Sequence, residues 1–180
     1  MFVIASTISL YPDECYREGM AVATCATRRP APAALMPQVK SLNYLNNVMA
    51  KVEAIQAGAM EGVMLNEQGY VAECTGDNLF LVKDGELRTP PVSDGALDGI
   101  TRGVVLELAR REGIPVREVS VTRYDIYTAD ECFLTGSAAE VIPVRTLDTR
   151  PIGDGCPGPM TAKLIEAFHH ETQTTGTPVD

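Results

Sequence analysis

The sequence predicts a mixed α+β fold, in which short strands alternate with helices. Many short runs of apolar and β-branched residues are separated by turns that contain glycine, which is typical of strands joined in hairpins. Three longer segments repeat apolar residues at three- and four-residue spacing, which indicates amphipathic helices. The chain has 180 residues, of which 45% are hydrophobic, so it is long enough to bury a substantial core.

The first part of the chain contains two predicted strands and a linker. Residues 2–10 are expected to form the first strand, residues 11–18 a polar loop or helical turn, and residues 19–27 the second strand. Prolines follow before Lys40, and they exclude a helix there because proline lacks an amide hydrogen and clashes with the preceding turn. These prolines are Pro30, Pro32 and Pro37. The linker is therefore expected to be stiff and extended.

A helix is predicted over residues 41–57, directly after Lys40. Its apolar residues recur on one face. They are Leu42, Leu45, Val48, Met49, Val52 and Ile55. The N-terminus of a helix presents positive potential, which disfavours a charged amine and favours one that is neutral or bonded to a carbonyl compound. The alternative is that Lys40 is an ordinary solvated lysine, as most lysines are.

The same two patterns, together with the turn residues, predict the rest of the chain. The expected elements are a hairpin of residues 62–66 and 70–73, a hairpin of residues 78–82 and 86–89, a helix at 100–111, a strand at 116–121, a short helix at 123–128, a buried strand at 131–135, strands at 141–144 and 147–152, and a helix at 158–170. A polar tail follows the last helix, and we expect it to be frayed.

Composition excludes several classes of protein. The net charge of −9 argues against nucleic acid or an anionic membrane as a partner, since both are polyanions. The sequence contains no apolar run long enough to span a bilayer. The five cysteines are scattered and contain no Cys-x-x-Cys pair, which favours free thiols in a reducing cytoplasm over a disulfide framework or a zinc site. No metal site is predicted.

Two residues that could carry chemistry are Lys40, the candidate catalytic residue, and Glu73. Glu73 ends a predicted strand and is flanked by apolar and small residues, so it could pair with a buried cation. The alternative is a solvated group at the rim of the sheet.

Two further segments could bind an anion. Gly99 precedes a helix start, where the free N–H groups of Ile100 and Thr101 and the Thr101 hydroxyl suit a phosphate. The alternative is a helix capped by Asp98 or Thr101. The second segment, Thr-Gly-Ser-Ala-Ala at 135–139, follows an apolar strand, and its small residues and hydroxyl allow close backbone approach to a ligand. Its alternative is a plain tight turn. Together, an amine, an acid and two donor clusters are what pyridoxal phosphate requires.

A long pattern of residues resembles the signature of the class IV (fold type IV) pyridoxal-phosphate aminotransferases. It consists of Glu73, Thr75, Asn78, Leu79, Phe80, Leu87, Thr89, Leu97, Gly99, Ile100 and Arg102. The Lys-x-x-Asn-Tyr motif at 40–44 and the run at 136–144 resemble two further motifs of the family. The resemblance extends over nearly the whole chain, and branched-chain amino acid aminotransferases look the closest. It implies the large domain of that fold, with mixed strands forming a pseudo-barrel surrounded by helices.

The resemblance implies roles around the ring of the cofactor. Lys40 would carry pyridoxal 5'-phosphate as a Schiff base and move the proton between substrate and cofactor. Tyr44 would hydrogen-bond the cofactor's phenolic oxygen, and Leu97 would pack against the ring. Glu73 would bind the pyridine nitrogen and keep it protonated, which needs a charge-assisted bond in a sheltered site.

The resemblance also implies roles at the phosphate and the substrate. Ile100 and Thr101, after Gly99, would bind the phosphate through backbone N–H groups and a hydroxyl. The hydroxyl of Ser137 would reach the same phosphate. The backbone of Ser137 and Ala138 would help to hold the substrate carboxylate.

The resemblance implies that the chain is the cofactor domain of a two-domain enzyme. Residues 1–37 would lead in from an N-terminal domain that is missing here, residues 38–172 would form the cofactor domain, and residues 173–180 would be the tail. The expected activity is amino transfer between a branched-chain amino acid and a 2-oxo acid, impaired because half of the site's wall is absent. Such a chain would be a cytoplasmic homo-oligomer. The alternatives are an aminodeoxychorismate lyase, a D-amino acid aminotransferase or an inactive remnant.

Overall fold

A curled sheet of nine strands organises residues 10–176, the part of the chain that the computed structural model describes. The strands are β1 (Met20–Thr24), β2 (Glu61–Leu65), β3 (Val71–Cys74), β4 (Asn78–Lys83), β5 (Glu86–Thr89), β6 (Val116–Glu118), β7 (Glu131–Gly136), β8 (Glu140–Leu147) and β9 (Arg150–Pro151). The helices are α1 (Asp13–Glu18), α2 (Leu45–Gln56), α3 (Ile100–Arg111), α4 (Arg123–Tyr127) and α5 (Pro159–Thr174). The prediction of a mixed α+β fold is confirmed.

The sheet curls into the predicted pseudo-barrel. Its order is β3-β2-β1-β8-β7-β4-β5-β6, with β9 paired to β8. Strand β1 lies parallel to β2 and β8, and β5 lies parallel to β6, whereas the other pairs are antiparallel. The edge strand β3 meets the segment that follows β6, where the Val71 N–H donates to the Val121 carbonyl at 2.7 Å. The two edges of the sheet are therefore nearly joined.

The central strands are buried on both faces. In β4, Leu79 and Leu81 pack inside the curl of the sheet, while Phe80 and Val82 pack against α3 and α5. The ring of Phe80 stacks on that of Phe133 in β7 with centroids 5.0 Å apart. Because successive side chains of a strand point to opposite faces, continuous apolar runs suit strands covered on both sides. This agrees with the buried strand predicted at 131–135.

Helix α2 differs from its prediction in both its start and its orientation. It begins at Leu45 and not at residue 41. It packs closely on β1 and β2 through the small side chains of Ala50 and Ala54. Gly62 of β2 permits this close approach, because a Cβ there would lie 2.5 Å from the Cys25 sulfur and 3.3 Å from the Ala54 Cβ. The predicted apolar face points away from the sheet. Its side chains, each between 43% and 100% exposed, are Leu42, Leu45, Val48, Met49, Val52 and Ile55.

Several other boundaries also differ from the predictions. The segment predicted as a strand at 147–152 is a tight turn, where Asp148 and Thr149 have positive φ, followed by the two residues of β9. Helix α5 continues to Thr174, into the polar stretch predicted to be frayed. The strand predicted at residues 2–10 falls almost entirely outside the described residues. Among those that are described, no helix combines the length and apolar character needed to cross a bilayer.

Candidate active site

A cavity of about 350 Å³ opens between the loop that precedes α2 and the start of α3. All the cofactor-binding residues expected from the resemblance border it. They are Lys40, Tyr44, Glu73, Leu97, Gly99, Ile100, Thr101 and Ser137. Ala138 is not among the described residues that line the cavity, and it lies exposed in the turn between β7 and β8. The predicted amine, carboxylate and donor groups therefore line one cavity, and Ala138 lies outside its lining.

Lys40 borders the cavity from an irregular loop. Because α2 begins at Leu45, with Tyr44 as its N-cap residue, the free amides of its first turn lie beyond Lys40. The prediction that Lys40 sits at the mouth of this helix is therefore wrong. The Lys40 side chain is exposed. Its positive charge nevertheless acts electrostatically on Glu73, which borders the same cavity.

Glu73 is a buried carboxylate, 6% exposed, that is held by three donors. Its Oε1 lies 2.5 Å from Nη2 of Arg29. Its Oε2 accepts hydrogen bonds from the Leu97 amide at 2.8 Å and from Asn78 Nδ2 at 3.1 Å. Burial raises the pKa of Glu73, while Arg29, the Leu97 amide and Lys40 oppose this rise. The prediction that Glu73 pairs with a buried cation is confirmed, and the alternative of a solvated rim group is wrong.

Tyr44 reaches the cavity from the start of α2. Its hydroxyl donates to the carbonyl of Thr75, which also accepts a hydrogen bond from Asn47 Nδ2 at 2.8 Å. Burial raises the pKa of the Tyr44 hydroxyl, and the nearby Glu73 charge adds to this rise. The single hydroxyl hydrogen of Tyr44 is therefore used within the protein.

The start of α3 presents unpaired backbone N–H groups to the cavity. Its N-cap residue, Gly99, makes no side-chain capping bond, and neither Asp98 nor Thr101 supplies one, so the alternative of a capped helix is wrong. A Cβ at Gly99 would lie 2.1 Å from Asn78 Oδ1, which explains why glycine suits this position. The Thr101 side chain is buried, whereas that of Ile100 is exposed. This end of the cavity therefore suits an anion.

Two hydroxyl groups at the end of β7 face the same cavity. Thr135 is 1% exposed, and its Oγ1 has no hydrogen-bond partner among the described residues. A buried hydroxyl without a partner is uncommon and indicates a missing ligand, ion or water. Ser137 is exposed in the turn that follows.

Sequence reasoning missed several groups of the site. Arg29 was not among the predicted site residues, yet it is the cation that binds Glu73. Asn47 is a polar residue on the buried side of α2, and its position within that helix is the signal that could have identified it. Nothing in the local sequence distinguishes Arg29 from Arg28, or marks Thr135 as unpaired.

A cluster of buried ionisable groups extends from the cavity wall. Asp77 lines the cavity, and its Oδ2 lies 2.8 Å from the Tyr11 hydroxyl, which lies 3.0 Å from Glu61 Oε2. Lys51 pairs with Glu61 at 2.6 Å. Burial raises the pKa of Asp77 to about 6, and the Glu61 charge adds to this rise. Burial also raises the pKa of Glu61, but hydrogen bonds from Lys51 and Thr75 outweigh it and leave that pKa below its usual value.

The fold and this cavity agree with what comparison with known proteins shows. The family model described as amino-transferase class IV matches residues 1–147, which is most of the chain. The chain therefore belongs to the class IV aminotransferases.

Individual relatives are branched-chain amino acid aminotransferases. The chain is 44% identical over 157 residues to the enzyme of Pseudomonas aeruginosa, covering 87% of this chain and 51% of the relative. The crystal structure of the Escherichia coli enzyme is 40% identical and superposes with a TM-score of 0.87, covering 88% of this chain and 53% of that one. The Thermobaculum terrenum enzyme, in its holo-form with PLP, is 37% identical, with a TM-score of 0.82, covering 85% of this chain and 50% of that one. The chain spans about half the length of these relatives.

Proposed function

We propose that the cavity binds pyridoxal 5'-phosphate and that the chain takes part in amino transfer between a branched-chain amino acid and a 2-oxo acid. One observation carries this proposal: Lys40, Glu73 and the N-terminus of α3 border a single cavity. The relatives support the substrate class, because they are branched-chain amino acid aminotransferases.

The residues present fit this cofactor. Lys40 offers an amine, and Glu73 offers a buried carboxylate for a ring nitrogen. The unpaired Thr135 hydroxyl and the uncapped amides of α3 are donors without acceptors, and a phosphate accepts several hydrogen bonds. The Thermobaculum terrenum relative supports the assignment, since its structure is that of the PLP-form.

The chain's own residues would bind and orient the cofactor, and one of them would move a proton. When bound, the cofactor supplies an aldehyde for the amino group and a ring that accepts electrons. Lys40 would take up and return a proton at its Nζ. Glu73 would accept a hydrogen bond from the ring nitrogen. Tyr44 would turn its hydroxyl from the Thr75 carbonyl toward the cofactor's phenolic oxygen, which leaves Asn47 as the donor to Thr75.

We propose that turnover by this chain alone is low. The cations among the described residues that line the cavity are Arg29 and Lys40, and Arg29 is already paired with Glu73. The phosphate would therefore be held by backbone amides and hydroxyls without an arginine, which weakens its binding.

We also propose that the chain forms a homo-oligomer in the cytoplasm. The apolar face of α2 is exposed, and an exposed apolar patch of this kind commonly marks an interface. A Val52→Glu variant should lower the apparent mass in size-exclusion chromatography, while Glu67→Lys on an exposed turn should not. An unchanged mass in Val52→Glu would contradict the oligomer. The five free thiols support a reducing compartment.

Covalent labelling tests the cofactor. The purified chain is mixed with pyridoxal phosphate and reduced with borohydride, and the modified peptide is identified by mass spectrometry. We expect modification at Lys40, loss of this modification in Lys40→Arg, and no change in Lys163→Arg. Lys163 is the matched control because it is a half-exposed lysine paired with Glu112 on the surface.

Two outcomes separate cofactor binding from catalysis. Labelling that persists in Lys40→Arg, with an unchanged circular dichroism spectrum, would contradict the cofactor site. Transamination of leucine with 2-oxoglutarate should be weak for the chain alone and should rise when the N-terminal half of a relative is fused to it. A fused chain that binds cofactor but stays inactive would support the inactive remnant.

A further inference from the structure

Arg29 is a buried arginine, and each of its three guanidinium nitrogens has a partner inside the protein. Its side chain is 9% exposed. Nε donates to the Gly95 carbonyl at 3.0 Å, and Nη1 donates to Asn47 Oδ1 at 2.9 Å. Nη2 lies 2.5 Å from Glu73 Oε1. One guanidinium therefore ties β3 to the start of α2 and to the loop before α3, and these three segments surround the cavity.

The bonds to Glu73 leave one acceptor position open. Each carboxylate oxygen can accept two hydrogen bonds. Oε2 already accepts two, from Leu97 and Asn78, whereas Arg29 is the only partner of Oε1 among residues 10–176. A ring nitrogen that hydrogen-bonds Glu73 would therefore share Oε1 with Arg29.

A buried carboxylate and a pyridine nitrogen compete for one proton. In a sheltered site, loss of solvation favours the neutral acid, and the proton would then reside on the carboxyl group. A cation beside the carboxylate lowers the proton affinity of the carboxylate more than that of the more distant ring nitrogen, since the interaction weakens with distance. The charged groups that act on Glu73 are Arg29, Lys40 and Asp77, and Arg29 exerts the largest effect of the three.

We propose that Arg29 is a positioning residue that keeps the shared proton on the ring nitrogen of the cofactor and off the Glu73 carboxylate. This inference rests on the proposed function, because it requires pyridoxal phosphate in the cavity. Arg29 would thereby keep the ring protonated and able to accept electrons, and its guanidinium would act through Glu73 without touching the cofactor. The coupling between Arg29 and Glu73 exists without cofactor, so it can be tested separately.

The first experiment measures the titration midpoint of the Glu73 carboxyl group in the cofactor-free chain. NMR of the chain carrying isotope-labelled glutamate follows the Glu73 carboxyl through a pH titration, with the signal assigned by its loss in Glu73→Gln. We expect Arg29→Met to move the midpoint to higher pH and Arg29→Lys to restore part of the shift. Arg28→Met is the matched control, because Arg28 is the adjacent, exposed arginine, and it should leave the midpoint unchanged.

The second experiment measures the protonation state of the ring nitrogen of the cofactor. Pyridoxal phosphate labelled at its ring nitrogen reports by NMR whether that nitrogen is protonated. We expect a protonated nitrogen in the wild-type chain and a shift toward neutral pyridine in Arg29→Met. If Arg29 acts through Glu73, the double variant Arg29→Met/Glu73→Gln should match Glu73→Gln alone.

The outcomes distinguish this inference from the proposed function. An Arg29→Met variant that is folded and has an unchanged Glu73 midpoint would overturn the inference. If that variant does not fold, a neutral ring nitrogen in the cofactor-loaded wild-type chain would also overturn it. A wild-type chain that binds no pyridoxal phosphate would overturn the proposed function and the ring step with it, while the cofactor-free titration still decides whether Arg29 sets the charge of Glu73.

Discussion

Replacement of Asp77 by asparagine should make the chain more stable at neutral pH. Asp77 is 4% exposed and shares the Tyr11 hydroxyl with Glu61. One hydroxyl hydrogen cannot serve two carboxylates, so the arrangement is satisfied best when Asp77 is protonated and donates to Tyr11, which in turn donates to Glu61. The side-chain amide that Asp77→Asn introduces would supply such a donor permanently.

The size of the effect follows from the pKa of Asp77, which is raised from 3.8 to about 6. Between these values the folded chain holds a proton that the unfolded chain has released, so the free energy of unfolding falls as the pH rises. Each pH unit is worth about 1.4 kcal/mol, so the loss is about 3 kcal/mol and is complete above the folded-state pKa. Below the unfolded-state value both states are protonated, and the effect vanishes.

Urea unfolding at a series of pH values measures this difference. We expect the free energy of unfolding of Asp77→Asn, relative to wild type, to rise by about 3 kcal/mol between about pH 4 and about pH 7. Asp154→Asn, at an exposed position, is the matched control and should show no such rise. A difference between Asp77→Asn and wild type that stays constant over this range would refute the reasoning.

Three further predictions concern the helices. Leu164→Ala removes a fully buried side chain from the layer between the sheet and α5, and should cost about 2–5 kcal/mol in urea unfolding; a cost below about 1 kcal/mol would contradict that packing. Thr122→Ala removes the capping box that Thr122 forms with Asp125 at the start of α4, and should cost about 1 kcal/mol in thermal unfolding, whereas no change would show that the cap is not stabilising. Gly99→Ala should displace Asn78 Oδ1, 2.1 Å from the new Cβ, and thereby weaken pyridoxal phosphate binding in a fluorescence titration; an equal affinity would argue against the anion site at α3.

The sequence alone predicted most of the observed strands, two of the hairpins and the residues that line the cavity. Strand and turn signals are local, because they depend on the period of the side chains and on the backbone freedom of residues such as Gly69 and Gly85. The observed hairpins β2–β3 and β4–β5 accordingly follow the predictions to within a residue or two. The resemblance to a family placed Lys40 and Glu73 at one site, and the structure puts both on one cavity.

Only the tertiary structure decided which groups face one another. The apolar period of α2 was identified correctly, but the helix turns Ala50 and Ala54 to the sheet, where these small side chains and Gly62 allow a close approach. The pairing of Arg29 with Glu73 joins residues far apart in sequence, and so does the contact of Tyr11 with Asp77. Periodicity describes one element at a time, whereas these contacts depend on how the sheet curls and which elements it brings together.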